Sequence, residues 1–207
     1  MAQPGRASLH ASAQTALAVP LSYAQAGTSL ARAALAGARE FEVLRHYPAR
    51  DVVDASAGTR FYYHAHRLDD AEHGHFHLFA HGRRAGDFVH LAALSLDVHG
   101  QPLRWFTTNR WVTGERWRTA EQLLPRLRVW RVHTGGRLAP VARWLSAMVV
   151  LYTDELARLL RERDARMAPL LKGRSHAEAE VVFEDRSLDL ISECPALLAP
   201  KISQLVH

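Results

Sequence analysis

Among its 207 residues the chain has a single cysteine, Cys194. That excludes an internal disulfide and leaves cysteine-based zinc fingers and iron–sulfur clusters without ligands. Lysine is almost as scarce: only Lys172 and Lys201 occur, and the other basic residues are arginines. No apolar run approaches the roughly 18 residues of a membrane span. There is no Walker loop, no Gly-x-Gly-x-x-Gly fingerprint, no Gly-x-Ser-x-Gly elbow and no His-Glu-x-x-His helix. Nucleotide-fold, serine-hydrolase and helical zinc-protease chemistry therefore lack their usual carriers. What the chain has in excess is histidine: 13 residues, seven of them between His64 and His90.

The formal net charge is +5, with hydrophobic residues at 48% and charged ones at 23%, which places the chain among globular domains. Its arginines are scattered. The nearest approach to a basic stripe is Arg104, Arg110, Arg116 and Arg118 between Trp105, Trp111 and Trp117. This reads as a packing edge with solvated arginines rather than a nucleic-acid surface.

Residues 1–27 are rich in Ala, Ser, Gln and Gly and read as a flexible tail on a cytoplasmic chain. The export alternative, with Ala24-Gln25-Ala26 as a cleavage site, suffers from a single basic residue, Arg6, and a core broken by Pro20. Thr28 or Ser29 can cap a helix over 28–46, stopped by Pro48. From residue 60 the period changes to two, and strands are expected over 60–67, 73–81, 87–97 and 102–109. The short polar connectors make them antiparallel. Helical periodicity then returns. Thr119 and Gln122 form a capping-box pair, residues 141–164 read as one helix, 181–191 as a small hairpin, and Leu198, Ile202 and Leu205 as a last helix. The expectation is α+β: an antiparallel sheet of about four or more strands with helices over one face, in a single domain over 28–207.

Two neighbouring strands carry the chemistry. Side chains two apart in a strand share a face, so Tyr62, His64 and His66 group together, as do His73, His75 and His77. A loop over 68–71 sets His64 opposite His75, Tyr62 opposite His77 and His66 opposite His73. Five imidazoles then line one patch, a donor set suited to iron, copper or zinc. A one-residue slip would undo it. Histidines can also be bland surface residues, but five on one aromatic-flanked face are harder to explain that way. Glu72 and Tyr62 are the candidate catalytic groups, with Glu72 as general base or partner of a ligand.

If the next two strands extend the same face, His90, Ala92, Leu94 and Leu96 lie on it opposite Asn109, Thr107, Trp105 and Leu103. Arg67, Arg110, Asn109 and Trp105 are then candidate substrate contacts, the arginines clamping an anion through their planar forks. For Trp105 the first reading is core and the second a pocket wall.

The His64-x-His66 pair followed by Glu72 resembles the first metal motif of cupins, with longer spacing and no second motif. A closer resemblance rests on His46-Tyr47-Pro48, Tyr62-Tyr63-His64-Ala65-His66-Arg67, Glu72-His73-Gly74-His75-Phe76-His77, Asn109-Arg110-Trp111 and Arg143-Trp144-Leu145. It is to a bacterial family known as a domain of unknown function, and it covers about residues 28–193. That resemblance implies membership without implying an activity. The residues themselves point to a metalloenzyme using iron or copper, or zinc, on a small anionic molecule. The expected reaction is oxygen-dependent oxidation, with a hydrolase close behind. A non-catalytic metal- or ligand-binding protein is the alternative, and a nucleic-acid accessory protein a more distant one.

Overall fold

Alternation of apolar and polar side chains builds a six-stranded antiparallel sheet whose strands lie side by side in chain order. They are β1 (Tyr47–Asp54), β2 (Thr59–His64), β3 (Gly74–His81), β4 (Phe88–Leu96), β5 (Pro102–Thr108) and β6 (Leu190–Pro195). The computed structural model describes residues 5–66, 71–82 and 87–206. Its helices are α1 (Arg6–Gln25), α2 (Leu30–Ala34), α3 (Arg110–Thr113), α4 (Ala120–Leu127), α5 (Ala139–Leu151), α6 (Thr153–Leu171), α7 (His176–Phe183) and α8 (Leu198–Val206). The fold is α+β, as the change of period implies. None of the described helices is long and apolar enough to cross a membrane.

The sheet's two faces divide the labour. Phe61, Tyr63, Phe76, Leu78, Leu94 and Trp105 are fully buried and belong to the main apolar cluster. Trp144 of α5 meets Phe76 there at 6.3 Å between ring centroids, and Tyr152 meets Trp105 at 6.1 Å. The opposite face carries the histidines. Register fixes this division, and it is as expected: His64 pairs with His75 and Tyr62 with His77.

Several expectations need correction. Residues 6–25 are not a flexible tail but form α1, which packs along α5 through the buried Ala13, Ala16 and Val19. Small side chains three apart let two helices approach closely while giving almost no amphipathic signal. The helix expected over 28–46 stops at Ala34. Ser29 caps it, its Oγ accepting from Arg32 N at 3.1 Å, but positive φ at Ala36 and Gly37 turns the chain away. The helix expected over 141–164 is two, broken at Tyr152. Residues 181–183 end α7 rather than opening a hairpin, and Leu190–Pro195 joins the sheet beside β5.

Gly74 opens β3 where the chain crosses close over its neighbour. A Cβ there would sit 2.8 Å from the His64 carbonyl oxygen and 2.8 Å from the Tyr63 hydroxyl. Backbone cannot yield cheaply, so Gly74→Ala should destabilise by about 1–3 kcal/mol, read as a lower urea midpoint at unchanged slope.

Candidate metal centre

The site begins with the pleat of β2 and β3. His64, His75 and His77 project from adjacent strands on the face away from the main core, and all three are buried. His66 follows β2 after Ala65 and is exposed. The rings crowd together: His64 lies 4.6 Å from His66, 4.8 Å from His75 and 5.0 Å from His77, centroid to centroid. One nitrogen from each of these four histidines falls within 4.8 Å of all the others. Around a tetrahedral ion with about 2 Å bonds the nitrogens stand about 3.3 Å apart. Small rotamer changes close the difference.

The hydrogen bonding is incomplete in the way a metal site requires. Both nitrogens of His64, Nε2 of His75 and Nε2 of His77 are buried with no hydrogen-bond partner. Each such orphan costs about 1–3 kcal/mol unless something else satisfies it. The far nitrogens, by contrast, are held. Nδ1 of His75 donates to Glu72 Oε1 at 2.6 Å, which leaves the Nε2 lone pair facing the cluster. Nδ1 of His77 lies 2.9 Å from Nε2 of His90. With the shared proton on His77, its Nε2 is also an acceptor facing the cluster. Ligating histidines fixed through the opposite nitrogen are the usual arrangement around protein-bound metals.

At His64, His77 and His90 the electrostatics favour the neutral ring, the form that ligates. Burial, reinforced by the neighbouring His75, His66 and His46, holds His64 down to about 2. Burial and the same neighbourhood hold His77 well below the usual histidine range. His90 is held down to about 3 by burial and then by the charge of Arg163. Burial alone would raise Glu72, but the hydrogen bond from His75, with Arg104, outweighs it and keeps the carboxyl ionised below its ordinary range.

A cavity of about 180 Å³ opens beside the cluster. His66, Glu72 and His75 form its polar end, and Phe106, Trp111 and Leu190 are among its apolar walls. Phe106 touches the centre directly, its ring 5.2 Å from His75 and nearly perpendicular to it.

A family model described as a domain of unknown function, DUF6969, matches residues 10–196. The chain belongs to this family. No curated protein and no solved structure matches it. Membership agrees with the resemblance carried by the histidine motifs and brings α1 from residue 10 onward into the family's domain.

The candidate residues separate clearly. His64, His66, His75 and His77 come together. His73 does not join them. The strand begins only at Gly74, and the His73 ring points to the other side, where Nδ1 meets the Tyr63 hydroxyl at 2.8 Å and the ring stacks on Phe41 at 4.6 Å. Tyr62 is present but enclosed, stacked on His46 at 3.8 Å and 5.1 Å from both His64 and His77. Burial pushes its phenol up, so it stays protonated and can act as a donor but not as a base at neutral pH. Glu72 serves as the hydrogen-bond partner of a candidate ligand.

The proposed substrate contacts fare worse. Arg67 lies outside the described residues. Arg110 does not reach the cavity; its fork is taken by Glu180, at 2.9 and 2.6 Å, and by Glu184 at 2.7 Å. Asn109 is buried and structural, capping α3 and donating to the Val182 carbonyl at 2.9 Å. Trp105 pairs with Leu94 and points into the core. The cause is a bulge in β4. Leu78 faces Ala92 but Phe79 faces His90, so Leu91 is the extra residue. His90 therefore shares the histidine face while Ala92, Leu94 and Leu96 do not. Arg104, Phe106 and Thr108 take the places assigned to their neighbours. The signal for them was in β5 itself: a tryptophan opposite a leucine belongs in the core, which turns the alternate residues to the site.

Glu72 offers a test of the second layer of contacts. Glu72→Ala should weaken metal binding about 10–100-fold, because His75 loses its anchor. Competition against a chromogenic chelator measures it.

Proposed function

We propose that the chain is a metal-dependent enzyme acting on a small organic molecule, with the ion held by His64, His75 and His77 and completed by His66. The convergence of buried, unpartnered imidazole nitrogens carries this reading. The all-nitrogen donor set suits iron, copper and zinc. The reading takes iron or copper as the resident ion and an oxygen-dependent oxidation as the reaction, with zinc-dependent hydrolysis as the alternative. A bound ion would supply Lewis acidity toward a substrate oxygen and, if iron or copper, redox access to dioxygen.

The chain's own residues do the rest. Glu72 and His90 fix the orientation of His75 and His77, so binding an ion needs only small movements of the rings. Phe106 and Leu190 keep water from part of the cavity. His66, at the exposed edge of the cluster and in the cavity wall, marks the side from which substrate arrives. A cavity at the ligand set favours turnover over storage, since a carrier needs no room for a second molecule.

The test is oxygen uptake by protein loaded in turn with iron(II), copper or zinc, over a panel of small carboxylic acids and phenols. Turnover with iron or copper alone supports the oxidation. Hydrolysis of ester analogues by the zinc form alone supports the alternative. A tightly held ion with neither activity identifies a metal-binding protein.

A further inference from the structure

The cavity beside the histidines has a shape and polarity that define a ligand class. Phe106 forms one wall, with Trp111 and Leu190 among the others. Its volume, about 180 Å³, slightly exceeds the roughly 150 Å³ engineered cavity that accepts benzene. One six-membered ring with one or two small substituents fits this space.

Two polar groups lie near the Phe106 ring. Its centroid is 5.2 Å from the His75 ring and 5.6 Å from the Arg104 guanidinium carbon. A ring lying on Phe106 is therefore within reach of both the histidine cluster and a guanidinium. Arg104 is already oriented: Nη1 donates to Glu193 at 2.7 Å and Nη2 to Glu72 at 3.4 Å. A guanidinium has five N–H donors, so these bonds hold the fork in position and leave donors for a ligand. Arg104 is also the only cation among the described cavity-lining residues, whereas Glu72 and Asp189 contribute carboxylates. An anion therefore depends on Arg104 for its binding, and the two carboxylates repel a dianion more strongly than a monoanion.

We propose that the site takes a monocyclic aromatic or similarly flat monocarboxylate, its ring on Phe106, its carboxylate on Arg104 and its opposite edge toward His66 and His75. This deepens the metalloenzyme reading and rests on it for the reaction at that opposite edge. It also moves the anion-binding role from Arg110, which does not line the cavity, to Arg104, which does.

The probes are benzoate, its neutral isostere benzamide, and phenyl phosphate as a dianion. Binding to zinc-loaded protein is followed by calorimetry, with metal content measured on the same samples. The expected result is benzoate binding about tenfold or more tighter than benzamide, as for a charge-assisted pair, with phenyl phosphate weaker than benzoate. Arg104→Gln should erase the preference for benzoate over benzamide. Leu190→Trp should block both ligands by filling the cavity while metal content stays at the wild-type level. The wild-type comparison needs no variant to fold. Equal binding of benzoate and benzamide by metal-loaded wild type, or tighter binding of phenyl phosphate, overturns the proposal. Wild type that holds no metal yet still prefers benzoate supports the ligand class and overturns the metal reading, so the two failures are distinguishable.

Discussion

Replacing both His64 and His75 with alanine should abolish stoichiometric metal binding. The two are directly opposed across β2 and β3 and together supply half of the convergent donor set. After their loss only His66 and His77 remain of that set, and two imidazoles without a third seldom retain a first-row ion against a chelator. The fold should survive, because both nitrogens of His64 and Nε2 of His75 have no protein partner, and Glu72, which loses its bond from His75, keeps Arg104. Near-wild-type circular dichroism with metal content falling from about one per chain to near zero is the expected outcome. Single substitutions should give intermediate losses, larger for His64 and His75 than for the exposed His66.

The metal-stripped protein should be unusually sensitive to mild acid. His64, His77 and His90 are held neutral in the native state, with His64 at about 2 and His90 at about 3. In the unfolded chain each returns to about 6.5. Below that value the unfolded state binds protons that the native state excludes, so stability falls as pH falls. Each group contributes up to about 1.4 kcal/mol per pH unit, and the three together about 4 kcal/mol per unit. Against a total stability of about 5–15 kcal/mol, the native state should be lost within about one to four units below pH 6.5. Asp54 works in the same direction but in a lower window. Hydrogen bonds from Ser56 and Ala57 hold it well below the carboxylate range, so its contribution is lost only below about pH 4. A thermal-melting series from pH 8 to 4 on stripped protein checks this. A flat profile between pH 7 and 5 would mean that the imidazoles are not buried together as neutral rings. Saturating zinc at pH 7 should raise the melting temperature of wild type and leave the double alanine variant unmoved.

The centre of the site was legible because strict alternation in two strands and a short connection admit few registers. Phe61, Tyr63, Phe76 and Leu78 demand the core, so His64, His75 and His77 must face the other way. What was not legible depended on departures from alternation. His73 precedes the strand rather than belonging to it, and its ring turns to Tyr63 and Phe41. The bulge at Leu91 reverses the faces of β4 midway, bringing His90 to the site and sending Trp105 to the core. β1 and β6 were hidden by Pro48, Arg50 and Asp51 in one and by Glu193 and Pro195 in the other, residues uncommon in strand interiors but tolerated at sheet edges. The α1 helix buries only alanines and a valine, too little contrast for periodicity to reveal. Arg110 illustrates a different limit, since its partners Glu180 and Glu184 lie 70 residues or more away in the chain.

The central claim is that His64, His66, His75 and His77 hold one metal ion. The most direct measurement is elemental analysis of untagged protein purified without added metal, and again after anaerobic reconstitution with iron, copper and zinc, joined to X-ray absorption at the edge of whichever metal is retained. The account predicts about one ion per chain with three or four imidazole nitrogens at about 2 Å. Absence of any retained ion under all these conditions, or an ion equally retained by the His64→Ala/His75→Ala variant, would contradict it.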